Sequence, residues 1–144
     1  IRHHRLIELF LAEILGMPWD RVHAEAEVLE HHISEELEEL IAAKLGQPLR
    51  DPHGDPIPSR ELDIAIDETV PLSELEIGAG GVIERISDSD PEMLRYLGSR
   101  GIRPGADLRV TGREPFEGPI TVTVAGAEHA LGAPLAGRMR VRSI

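Results

Sequence analysis

Leu6, Ile7, Phe10, Leu11, Ile14 and Leu15 recur at three- and four-residue intervals, which predicts an amphipathic helix over residues 2–15, stopped by Gly16 and Pro18. A second helix is predicted from Asp20, a good N-cap, to about His32, with a thin apolar stripe. Ser34 reads as a fresh N-cap. Glu35 and Glu36 suit the first turn after it, Leu37, Leu40, Ile41 and Leu45 form the expected buried stripe, and Gly46 ends the helix.

The pattern then changes. Residues 47–60, QPLRDPHGDPIPSR, carry four prolines and a glycine, which forbids helix and predicts an extended, turn-rich arm. The acidic stretch 61–68 reads as a linker. Beyond it, β-prone runs at 81–86, 107–110, 120–124 and 139–141 are separated by Gly and Pro, with one helix at 91–97 capped by Asp90. The expected architecture is therefore α+β and multidomain. A helical domain spans residues 1–60, and a small, partly open β-barrel spans 69–144. Gly78, Gly80 and Gly81 are assigned to turns or bulges, since their spacing is not that of a phosphate-cradling loop.

Composition narrows the function. Twenty-six acidic against fifteen basic residues give a formal charge of −11, a field that repels nucleic acid. Solubility explains such acidity as readily as cation binding does, but seven histidines among the carboxylates keep the second explanation open. With no cysteine, disulfides and thiolate metal sites are excluded. No apolar run reaches the roughly 20 residues that span a bilayer, and the first residues are too charged for a secretion signal, so a cytoplasmic location is expected.

On a helix, Glu27, Glu30 and His31 share one face, His23 extends it by a turn, and His4 and Glu8 stand four apart on the first helix. Such pairs are more often solvated than ligating, so the pattern matters more than any one residue. A tight connection through Gly16, Met17, Pro18 and Trp19 would let the two ligand pairs meet. Mixed carboxylate and imidazole donors suit manganese or ferrous iron, with zinc, cobalt or cadmium able to substitute in vitro.

The stretch HHRLIELFLAEILGMPWDRVHAEAEVLEHHISEELEELI, followed by DPHGDPIP, resembles the dimerisation domain of the diphtheria toxin repressor and manganese transport regulator family over residues 3–58. The second half, VIERISDSDPEMLRYLGSRGIRPGADLRV to APLAGRMRVRSI, resembles more loosely the SH3-like C-terminal domain of its longer members, also seen in ferrous-iron transport proteins. The resemblance implies a repressor rather than an enzyme, one in which divalent metal orders a homodimer that grips operator DNA. It implies Glu27, Glu30 and His31 as ligands of the primary site, with His4 beside them. Glu27 stands where iron-responsive members carry cysteine and manganese-responsive ones glutamate.

For the ancillary site two family variants compete. One uses His4, Glu8 and His23 with ligands from the C-terminal domain. The other uses Glu8 with a Cys-Pro-His turn, which here reads Asp51–Pro52–His53, and an aspartate. Asp88 is the best match for the C-terminal aspartate, with Asp90 as the alternative. Dimer contacts are expected through Leu6, Phe10 and Ile14. The family's winged helix-turn-helix would precede Ile1, so this chain is read as sensor and dimeriser without its DNA-binding domain. Two further readings stay in view: a metal-binding adaptor or transporter-associated module with no DNA-binding role, and a carboxylate-bridged metalloenzyme. The single Glu-x-x-His and only three helices argue against the enzyme.

Overall fold

The computed structural model describes residues 1–58 and 68–143. The chain divides into two compact units, residues 1–66 and 67–144. The linker assigned to 61–68 lies, apart from Glu68, outside the described residues.

In the first unit, α1 (Arg2–Glu13) is the central element. One side of it packs Leu6 and Leu9 against Ile41, Ala42 and Ile57, while the other packs Ile7 and Leu11 against Val22 and Ala26. An isolated helix this short is marginal in water, so burial on two sides is what holds it. Helix α2 (Val22–Leu29) is shorter at both ends than the apolar pattern predicts. Arg21 occupies the N-cap position without a side-chain cap, and Asp20 is buried instead of capping. At the other end the chain turns at Glu30, and Ile33 thereby joins Leu29 against the α1–α2 cluster. His31 and His32 consequently lie in a turn beyond the helix, not on its face.

Helix α3 (Glu35–Lys44) starts as predicted, with Ser34 Oγ accepting from the Leu37 amide at 3.1 Å. Its buried face differs from the predicted stripe: Leu37 and Leu40 are 44% and 61% exposed, whereas Glu38 is 5% exposed. The cause is Arg2, buried on α1, which pairs with Glu38 and lies 3.1 Å from Glu39. His3 Nδ1 approaches the second Glu38 oxygen at 2.9 Å. A buried guanidinium needs a carboxylate beside it. Satisfying it turns Glu38 inward and Leu37 and Leu40 outward.

The proline-rich arm is a compact turn rather than an extended strap. Asp51 N donates to Asp55 O at 2.9 Å, Ile57 N donates to Leu49 O at 2.8 Å, and Ile57 enters the core.

The second unit is one antiparallel sheet in the order β1-β6-β2-β3-β4-β5. Its strands are β1 (Val70–Pro71), β2 (Gly80–Ile86), β3 (Asp107–Arg113), β4 (Ile120–Val124), β5 (Ala127–Leu131) and β6 (Met139–Ser143), with helices α4 (Pro91–Ser99) and α5 (Ala133–Ala136). The open order agrees with an SH3-like sheet. Asp90 caps α4, accepting from Glu92 N and Met93 N. Alternate residues of β4, Ile120, Val122 and Val124, are buried with Ile83, Ile86, Leu94, Leu97, Leu131 and Val141. At Gly81 a side chain has no room, because an added Cβ would meet Val141 Cγ1 at 2.4 Å and the Arg142 carbonyl at 2.8 Å. The close β2–β6 pairing depends on that glycine.

Candidate metal centre

Glu8 is the hub of the first unit's polar interior. It lies on the buried side of α1 and is 0% exposed. One oxygen, Oε1, is 3.0 Å from His4 Nε2, and the other, Oε2, is 3.1 Å from His53 Nδ1. Neither contact has hydrogen-bond geometry, so both carboxylate oxygens are buried without an aligned donor.

His53 reaches Glu8 from the proline-rich turn. Asp51 Oδ1 shapes that turn by accepting from the amides of His53 and Asp55, each at 2.9 Å. Its other oxygen, Oδ2, is buried with no hydrogen-bond partner among the described residues. The His53 ring stacks on Trp19 with centroids 5.7 Å apart, and Nε2 sits 2.7 Å from the Trp19 carbonyl. A carbonyl only accepts, so Nε2 carries the proton toward it and Nδ1 faces Glu8 and Asp51.

On the other flank His4 Nε2 lies 3.0 Å from His23 Nδ1, and His4 Nδ1 lies 3.2 Å from Glu30 Oε2. His23 Nε2 in turn is 3.2 Å from Glu27 Oε1. Burial alone would push the Glu8 carboxyl up, but His4 and His53 outweigh it and hold the group at about 2. Burial would likewise lower His53, yet the Asp51 and Glu8 carboxylates push it up to about 10. His4 is raised chiefly by Glu8, against burial and with help from Glu30.

The predicted residues thus fall into distinct places. Glu8, Asp51 and His53 bring one ligand atom each within 4.8 Å of one another, and His4, Glu8 and His23 do the same. Glu27, Glu30 and His31 form no such group among the described residues. Glu27 and His31 have side chains 61% and 75% exposed, and α2 ends before His31, so one helix face does not present all three. Asp88 follows β2 in the second unit, and Asp90 is engaged as the α4 cap.

Comparison with known proteins decides the family. Residues 1–59 match the model described as "Iron dependent repressor, metal binding and dimerisation domain", and residues 70–143 match the FeoA domain. A solved manganese-dependent transcriptional repressor in complex with manganese superposes with a TM-score of 0.96 at 47% identity, covering 100% of this chain and 69% of that one. The chain belongs to the metal-dependent transcriptional repressor family. Among curated members, it is 33% identical to the iron-dependent repressor IdeR of Mycobacterium tuberculosis over 141 residues, 90% of this chain and 60% of that protein. It is 29% identical to the diphtheria toxin repressor of Corynebacterium diphtheriae, covering 100% of this chain and 67% of that protein. The chain therefore spans about 60% of the length of the first of these relatives.

The donors of this family member fit a hard divalent ion. Asp51 Oδ2 is an orphaned buried oxygen, both Glu8 oxygens lack aligned donors, and no sulfur is present. When bound, such an ion would supply the positive charge that two buried carboxylates call for. The protein's own contribution is to hold each ring through its far nitrogen: Trp19 O steadies His53, Glu30 steadies His4 and Glu27 steadies His23. The sequence carried no sign of the part played by Trp19, because a main-chain carbonyl has no residue signature.

Proposed function

We propose that this chain is the metal-sensing and dimer-forming part of a manganese-dependent cytoplasmic repressor of metal homeostasis genes, with ferrous iron as the alternative effector. The observation that carries the reading is the buried Glu8–Asp51–His53 cluster, whose ligand atoms converge without sulfur. Nitrogen and oxygen donors favour manganese or iron over softer metals, although zinc, cobalt or cadmium would compete in vitro. Glu8 stands on α1, His53 on the proline-rich turn and His23 on α2, so metal held at these side chains would lock the relative positions of the three segments. Glu27, Glu30 and His31 complete the proposed ligand list, with Asp88 as the candidate from the second unit.

The homodimer is assigned to exposed apolar side chains of α1 and α3. Ile14, Leu37 and Leu40 are 44%, 44% and 61% exposed, and Phe10 is partly buried against the Leu6–Ile41 cluster. Leu6 is withdrawn from that assignment, because at 1% exposure it belongs to the chain's own core. Operator DNA would be held by a winged-helix domain of the whole protein.

The test is Mn2+ and Fe2+ titration of the chain, with sedimentation in parallel. Saturable binding of either ion, with a dimer at micromolar concentration, is the expected result. A monomer that binds neither ion overturns the reading. The match of residues 70–143 to a FeoA domain favours a second reading, a transporter-associated metal adaptor. Metal-dependent retardation of operator DNA by the full-length protein separates the two, since the adaptor would show none.

A further inference from the structure

The sheet of the second unit ends differently at its two edges. Strand β1 has only two residues, one of them Pro71, which cannot donate to a further strand. Strand β5 pairs with β4 alone and has no Pro, no Lys and no bulge, whereas the β2–β6 and β3–β4 pairings each carry a register shift. Natural sheets usually guard an open edge with one of those devices. Ala125 and Gly126, at φ 52° and 81°, join β4 to β5 as a two-residue turn, so Val124 and Ala127 form its hydrogen-bonded closing pair. Bonding alternates from there. Ala127, His129 and Leu131 turn their backbone groups to β4, and Glu128 and Ala130 turn theirs outward. Both of the latter are exposed, and among the described residues no backbone group outside the sheet bonds to either. His129 stands opposite Val122 and so on the core face, where its Nε2 is buried with no hydrogen-bond partner among the described residues.

We infer that β5 is a self-association edge, to which the β5 of a second copy adds antiparallel about a two-fold axis at His129. This goes beyond the metal-sensing reading and does not depend on it. The occupant follows from register. With the axis at His129 all five residues of β5 overlap those of its copy, and Glu128 falls opposite Ala130 of the second copy. The outward groups of both strands then meet, each copy donating two N–H groups and accepting two. The two Glu128 carboxylates are never directly opposite, a placement that would destabilise the pair. At the axis the two His129 residues form a non-hydrogen-bonded pair with Cα atoms about 4.5 Å apart. That brings a second imidazole, which in its neutral form offers one donor and one acceptor, beside each orphaned Nε2. A peptide of unrelated sequence would share neither the match in length nor the match in charge.

The chain contains no cysteine, so a single introduced one reports the pairing directly. A Cα separation of about 4.5 Å lies within disulfide reach. His129→Cys should therefore give a covalent dimer in oxidised glutathione at least about tenfold faster than Thr123→Cys, which lies one strand further in on the outer face. Sedimentation of the cysteine-free chain over a range of concentrations should show an association step that Ala130→Pro weakens about 30-fold, since the proline removes one N–H bond from each copy and none from the β4 ladder. Circular dichroism confirms that this variant keeps its sheet, and Ala130→Gly, which retains the N–H, should keep the step. Cross-linking no faster than at Thr123→Cys, or an association step that a folded Ala130→Pro leaves unchanged, overturns the pairing. Either result leaves the metal-sensing reading intact, because a dimer formed through the helical unit would persist in every one of these variants.

Discussion

The two units keep their interiors in opposite ways. Among the described residues, the buried polar or charged side chains are Arg2, Glu8, Asp20, Glu38, Asp51 and His53 in the helical unit and only Thr69 in the sheet unit. The sheet unit's core is an apolar layer running from Leu72 to Val141. The helical unit's core is two small clusters, with charged groups set between its segments. A fold that buries charge gives up stability unless each charge finds a partner. The difference therefore marks the sheet unit as self-sufficient and the helical unit as one whose stability answers to ions and protons.

The largest effect that would sharpen this contrast lies in the sheet core. Ile83 is 0% exposed, so Ile83→Ala should cost about 2–5 kcal/mol in denaturant unfolding of the sheet. Mn2+ affinity of the folded variant at the Glu8–Asp51–His53 group should stay within about twofold of the parent, since all three residues belong to the helical unit. A large loss of affinity would mean that the two units are not separable in this way.

Ion binding should act on the other unit. At 100 times the dissociation constant, a single ion adds about 2.7 kcal/mol to the state that binds it. Hydrogen exchange in the full chain should show this as slower exchange at α1 and α2 amides on adding Mn2+, with β2, β3 and β4 amides much less affected. Equal slowing in the sheet would break the comparison.

The sequence was most legible where structure is decided locally. Ser34 and Asp90 announce their helices because a capping side chain bonds an amide two or three residues away. Legibility failed where a distant contact decides. The end of α2 depends on Ile33 packing against α1, and the inward turn of Glu38 depends on Arg2. Strand β5, Ala-Glu-His-Ala-Leu, has little β-propensity of its own and owes its state to pairing with β4. At the site, the four-residue spacing of His4 and Glu8 was readable from helical geometry alone. Asp51 and His53 were reached only through family resemblance, because their approach to Glu8 depends on how the proline-rich turn folds back.

A smaller effect is pH dependence. Glu8 is held at about 2, below its ordinary 4.5, so its stabilising contribution is present above pH 4.5 and is lost as pH falls through about 2. His53 is raised from 6.5 to about 10, so its contribution is full below pH 6.5 and is lost as pH rises through about 10. Without metal, the cluster is therefore most stabilising between these limits. A ligating His53 must give up its proton, so apparent Mn2+ affinity at this site should rise by up to about tenfold per pH unit, roughly 1.4 kcal/mol. Titration at pH 6.5, 7.5 and 8.5 measures the slope, and a flat profile would remove His53 from the ligand set.

The smallest effect concerns a residue that touches no ion. Ser34 Oγ caps α3 at an exposed position, accepting from Leu37 N at 3.1 Å. Ser34→Ala should cost about 1 kcal/mol. If the helical unit depends on its interior ion pairs, that loss should appear in full in the absence of metal, because α3 is tied to α1 by the Arg2–Glu38 pair and by Leu6, Leu9, Ile41 and Ala42. It should leave Mn2+ affinity unchanged, since neither ligand group includes a residue of α3. A cap variant that weakened binding by tenfold or more would show that α3 helps to hold the metal site together, and the line drawn between the helical unit's core and its ligands would have to be redrawn.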